Sequence, residues 1–268
     1  MIDLILIALL FSLHQIFIRK GVECGDANYG AFVSLLTTSV LFSALSLNRV
    51  ILDIQFIAYM LLAGILHFLV ARTAFYNAIS RIGANSAGSL SATRLFFAVM
   101  FGFSMGEEIG LKVLLMAVLI FSGIYLISTP EGAGDLKGVM LALLTGFSTA
   151  LSSAVVKVGM ELYPEPIFGS AVGYVISTLM FPFIFKFRKK GGEKYFILAG
   201  VFVGFGHYLR YRALISYPLS VVEPVLSIYP LFTLILTAVT LRKIERFSRN
   251  IVLGSILIVL GVESYHLL

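Results

Sequence analysis

A chain of 268 residues that is 59% hydrophobic and 13% charged is not an ordinary soluble domain, where roughly a quarter of the residues are charged. It is read as a polytopic membrane protein, with room for about ten spans of ~20 residues and no separate soluble domain. A single cysteine, Cys24, excludes an internal disulfide and a thiol-based metal site, and the net charge of +6 suggests membrane-flanking loops rather than nucleic-acid binding.

Hydropathy predicts spans over 2–19, 29–47, 54–79, 84–106, 110–128, 136–157, 167–186, 194–216, 219–241 and 250–267. Turn formers and charges fill the breaks, as in Gly25-Asp26-Ala27-Asn28 and Thr129-Pro130-Glu131-Gly132. The first span has no basic residue before it and Arg19-Lys20 after it, the reverse of a signal peptide, so it is expected to stay in the mature protein.

The third and eighth spans carry similar strings. Residues 64–72 read Gly-Ile-Leu-His-Phe-Leu-Val-Ala-Arg, and residues 204–212 read Gly-Phe-Gly-His-Tyr-Leu-Arg-Tyr-Arg. Gly, His, an aromatic, Leu and Arg recur at an offset of 140, which aligns His67 with His207 and Arg72 with Arg212. Other pairs fall closer together: Arg19 with Lys157 at 138, and Ser91–Phe96 with Ser227–Phe232 at 136. A competing register near 135 aligns Tyr76 and Ala78 with Tyr211 and Ala213. Two halves, 1–133 and 134–268, are therefore expected. Each has five spans, an odd number, so the second half enters the membrane in the opposite sense. The expected fold is all-α and integral to the membrane, with ten transmembrane helices as two inverted five-helix repeats, an architecture that suits alternating access.

Thirteen basic residues fall on one side: Arg19, Lys20, Arg81, Lys137, Lys186, Arg188, Lys189, Lys190, Lys194, Arg242, Lys243, Arg246 and Arg249. The other side has Arg49 and Lys112, beside Asp53, Glu107, Glu108, Glu161 and Glu165. The richer side is expected to be cytoplasmic in a cell or inner membrane, which puts both termini outside.

This arrangement resembles the drug/metabolite transporter superfamily, specifically its ten-span EamA-type members. The likeness covers essentially the whole chain. It rests on the two five-span halves, Gly106-Glu107, Pro230-Leu231-Phe232, and the closing strings Leu119–Ile124 and Leu257–Val262, both of the form Leu-Ile-x-x-Gly-(Ile/Val). Arg94 stands where the family tends to have proline, Arg242-Lys243 replaces the second Gly-Glu, and there is no Trp. Family members are mostly thought to have cytoplasmic termini, contrary to the charge count. The resemblance implies a carrier of a small molecule.

Ionisable groups inside apolar spans are costly and usually face a cavity. His67, Arg72, Arg94, His207, Arg210 and Arg212 are the candidate substrate-binding groups, with Tyr208 and Tyr229 beside them; Tyr76, Tyr211 and His14 are further lining candidates, while His266 is a weaker one. A basic excess favours an anionic substrate group, which arginine binds in a bidentate way. The alternatives are arginines that snorkel to the headgroups, or that pair with Glu223. Glu223, followed by Pro224 in a span flanked by Pro218 and Pro230, is the candidate coupling residue if protons drive transport.

The leading expectation is a secondary carrier of an amino acid or organic anion, working in the lipid bilayer as a monomer or homodimer. A proton-coupled exporter of cationic drugs would need an acidic residue deep in the first span, where only Asp3 stands at its very start. A non-transporting subunit or channel would need no repeated ionisable string. No metal-ligand pair, Gly-x-Ser-x-Gly or paired carboxylates point to an enzyme, and no cofactor or metal is expected.

Overall fold

The computed structural model describes residues 2–97, 111–129, 132–188, 190–216, 226 and 228–267, and among these the regular structure is entirely helical. The helices are α1 (Ile2–Val22), α2 (Ala27–Ser46), α3 (Ile54–Gly64), a π-helical segment (Ile65–Ala71), α4 (Arg72–Ser91), α5 (Leu111–Ser128), α6 (Leu136–Leu162), α7 (Pro166–Ile184), α8 (Glu193–Ser216), α9 (Tyr229–Thr240) and α10 (Arg249–Leu267). Helices are the expected solution in lipid, because each satisfies its own backbone hydrogen bonds. Five helical stretches among the described residues are long and apolar enough to cross a bilayer: Ile5–Val22, Ala27–Ser46, Ile54–Ser91, Leu136–Leu162 and Pro166–Ile184. The chain is a multi-pass membrane protein.

Helix starts follow short polar signals. Asp26, Asp53 and Asp135 each accept a backbone N–H from three residues on, from Tyr29, Phe56 and Gly138 respectively. The backbone N–H of Gly138, with Arg81 beside it, holds the Asp135 carboxyl below its usual range. Pro166 and Pro230 sit in first turns, where the missing N–H costs nothing. The long stretch from Ile54 to Ser91 contains one break, at Gly83, whose φ of 79° suits glycine. The third span ends there and the fourth begins at the next residue.

Packing crosses the chain repeatedly. α1 lies on α8 and α9, α2 on α7 and α8, α6 on α3, the π segment and α4, and α3 on α7. α5 and α10 pack on each other, close enough that a Cβ on Gly123 would stand 2.6 Å from the Gly254 carbonyl oxygen. In lipid, such glycine contacts let backbones approach and gain dispersion energy where no hydrophobic driving force exists. At one end of the bundle Arg49 pairs with Glu165 at 3.5 Å. At the other, Arg81 pairs with Asp135 at 2.8 Å and Arg19 with Glu245 at 3.1 Å.

Candidate functional site

The central cavity, of about 80 Å³, lies where α1, the π segment, α4, α6, α8 and α9 meet, and has room for several waters or a small solute. Its polar lining is His14, Gln15, His67, Arg72, Ser91, Arg94, Thr145, Thr149, His207, Arg210 and Tyr229, with Phe11, Ala71, Phe75 and Val203 as apolar wall. Among these described lining residues there is no carboxylate.

The π segment sets the geometry of the third span. Its closing hydrogen bond runs from the Arg72 N–H to the His67 carbonyl, five residues back, so one extra residue is fitted into the turn. Both side chains thereby reach the cavity. His67 meets His207 edge to face, with ring centroids 4.6 Å apart, and Phe11 and Phe68 pack on the His207 ring at 5.2 and 5.3 Å. Arg72 is 4% exposed. It donates to the Tyr174 hydroxyl at 3.0 Å and to Ser34 and Thr38 at 3.3 and 3.5 Å. Its guanidinium also stands 5.0 Å from the Tyr174 ring centre and 5.5 Å from that of Phe68. These partners are hydroxyls and ring faces; they orient the cation without neutralising it.

Arg210 is buried and donates to the Ser153 hydroxyl. Arg94 is buried with its guanidinium 5.5 Å from the Tyr229 ring centre. The Tyr229 hydroxyl bonds Ser91 at 2.7 Å and donates to the Gly88 carbonyl at 2.9 Å. His14 contacts the Ala199 carbonyl at 2.9 Å through Nδ1.

Two of the expected residues lie elsewhere. Arg212 is exposed, with its guanidinium 5.9 Å from the ring of half-buried Tyr208, and neither lines the cavity. Arg210, two residues earlier, is the arginine of that string that faces inward. Glu223 and Pro224 lie outside the described residues, as does Gly106-Glu107. Tyr76 and Tyr211 are buried and do not line the cavity. Gln15, Phe75, Thr145 and Thr149 were not singled out from the sequence, although Gln15 was visible as an amide inside an apolar span.

Some contacts recur at spacings close to those that the sequence offers for a repeat. Ser152 Oγ donates to the Ala63 carbonyl at 3.0 Å, as His14 meets that of Ala199, and the two pairs stand 138 and 136 residues apart. Gly64 crosses Gly173 as Gly200 crosses Ser34. Early in the π segment, His67 and Val203 line the cavity at an offset of 136; after it, Arg72 with His207 and Phe75 with Arg210 do so at 135. The change equals the one residue that the π turn inserts. The lining positions after the π segment thus match at the spacing near 135, whereas Arg212, the 140-residue match to Arg72, does not line the cavity.

The EamA-like transporter family model matches residues 1–129 and 136–263. An uncharacterized transporter of Archaeoglobus fulgidus is 27% identical over 263 residues, spanning 95% of this chain and 93% of that protein. A solved crystal structure superposes with a TM-score of 0.65 over 98% of this chain and 96% of its own, at 15% identity, which speaks for the fold alone.

Proposed function

The chain belongs to the EamA-like transporter family, and from that premise we propose that it is a secondary carrier of a small metabolite with an anionic group, such as an amino acid or organic acid. The observation that carries the substrate class is Arg72, a buried cation on the cavity wall whose partners are neutral hydroxyls and rings. An anionic group is the natural complement of such a guanidinium. Cationic drugs fit this lining poorly.

The mechanism is alternating access between two inverted halves, 1–133 and 134–268. Support comes from the packing, which keeps its pattern when the spans are exchanged one for six, two for seven and so on. The contact of α1 with α8 becomes that of α6 with the third span, while α2 with α7 and α5 with α10 map onto themselves. The cavity lies between the halves, with His67 and Arg72 from one facing His207 and Arg210 from the other. A ligand held there contacts each half differently when they rock, as coupling requires.

Uptake into proteoliposomes tests this reading, using labelled amino acids, organic acids and cationic dyes, with and without a pH gradient. Saturable uptake of an anionic or zwitterionic compound is expected, and uptake of cationic dyes alone would refute it. If protons couple, Glu223→Gln abolishes accumulation and spares exchange; full accumulation by that variant would exclude the residue. The basic end is proposed to be cytoplasmic, so a cysteine placed at the C-terminus should react with an impermeant reagent outside intact cells; reaction only after permeabilisation would reverse the orientation.

A further inference from the structure

The fourth span begins without a cap of its own. Gly83 precedes it and has no side chain, yet the first backbone N–H groups beyond it are satisfied. Glu245, in the connection between α9 and α10, accepts from Ala84 at 3.1 Å and Asn85 at 3.2 Å. The same carboxylate receives Arg19 Nε, from the last turn of α1, at 3.1 Å. Arg19 also bonds Glu23 and the Ile244 carbonyl. Glu245's side chain has no solvent exposure, and a Cβ on Gly83 would overlap its Oε1. Next to it, Thr237 donates to Asn85 Oδ1 at 2.7 Å, Asn85 donates to the Arg246 carbonyl, and Arg246 donates to that of Ala133 at 2.9 Å. One carboxylate thus ties α1, the junction of the third and fourth spans, and the α9–α10 connection at the basic end.

Building on the carrier reading, we infer that Glu245 and Arg19 form the gate that closes the central cavity toward the basic face, and that parting them opens it there. Three features suit a gate better than a staple. A buried ion pair adds little net stability over apolar packing, because both charges must be stripped of water; once parted, both recover it, which makes the contact two-state. Gly83 joins two helices through a single residue in the left-handed region, so the junction can pivot there. The helices tied at this end also carry the cavity wall, since α1 supplies His14 and Gln15, α9 supplies Tyr229, and Ser12 links them by donating to the Tyr229 carbonyl at 2.9 Å.

The test uses the full chain with Cys24→Ser and a reporter, Thr149→Cys, in the cavity wall. An impermeant thiol reagent is applied to the basic face or to the opposite face of oriented vesicles. The parent is expected to label from both faces. Glu245→Ala and Arg19→Gln should each raise labelling from the basic face about tenfold and slow it from the other. If Glu245→Ala fails to fold, Arg19→Gln decides. Unchanged rates, or equal increases at both faces, would reduce the contact to a structural cap and leave the carrier reading standing. A parent that labels from one face only would overturn the carrier reading, and the gate with it.

Discussion

The imidazoles of His67 and His207 meet edge to face, with ring centroids 4.6 Å apart and planes at 89°. One comes from the π segment of the third span and the other from α8, so these two elements touch through titratable rings on the cavity wall. His207 is also packed by Phe11 and Phe68. His207→Phe should preserve this ring packing and the fold while removing a polar group from the site. Substrate affinity is expected to fall about tenfold, with thermal unfolding little changed. Unaltered affinity in a folded variant would take His207 out of the binding site.

Arg72 and Arg212 should behave differently. Arg72 is buried beside the cavity, whereas Arg212 is exposed and lies over Tyr208. Arg72→Gln is expected to weaken binding by ~1.5–3 kcal/mol, the worth of a charged hydrogen bond, and Arg210→Gln to act in the same direction. Arg212→Gln should bind nearly normally. Titration of the purified variants with the substrate found in uptake assays would show Arg72→Gln and Arg212→Gln weakened alike if the 140-residue register governed the site.

The sequence leaves the two registers open, and the residues that line the cavity show why. The spans were visible because apolar runs of membrane length stand between charged breaks, and Asp26, Asp53 and Asp135 mark helix starts by their chemistry. His67 and His207, expected at a cavity from their similar strings, both line it. Identical letters at one offset suggested equivalent positions, while the π turn had added a residue between His67 and Arg72. Arg210 and Arg212 stand two positions, about 200°, apart on α8, so when Arg210 faces the cavity Arg212 faces away. Glu245 was overlooked because its partners, Ala84 and Asn85, lie some 160 residues away, and Arg242-Lys243 drew attention to a missing Gly-Glu instead.

The α5–α10 pair rests on backbone contact at Gly123 and Gly254, where an added Cβ would stand 2.6 and 2.7 Å from the opposing carbonyl oxygen. Gly123→Ala or Gly254→Ala should therefore cost ~1–3 kcal/mol of stability through overpacking. Thermal unfolding in detergent measures this. A neutral result for both would mean that the two helices can part without cost.

Glu245 gives a pH dependence of defined sign. Burial pushes its carboxyl above the usual range, against the opposing pull of the Ala84 and Asn85 N–H groups and Arg19. A raised carboxyl means that the latched fold binds the proton more tightly than an opened or unfolded one. The contribution is present below the ordinary glutamate value and is lost as pH rises through the raised one. The melting temperature of the parent relative to Glu245→Gln should therefore fall as pH rises above the ordinary glutamate value of about 4.3. A rise with increasing pH there would contradict the assignment.

Counterflow tests the central claim most directly. Proteoliposomes loaded with unlabelled substrate are diluted into trace labelled substrate, with no ion gradient. A carrier that alternates around one cavity must exchange, so the label should accumulate transiently inside, and Arg72→Gln should reduce that overshoot. Flux that rises linearly with concentration, with no overshoot from a loaded interior, would show a pore instead and contradict the account.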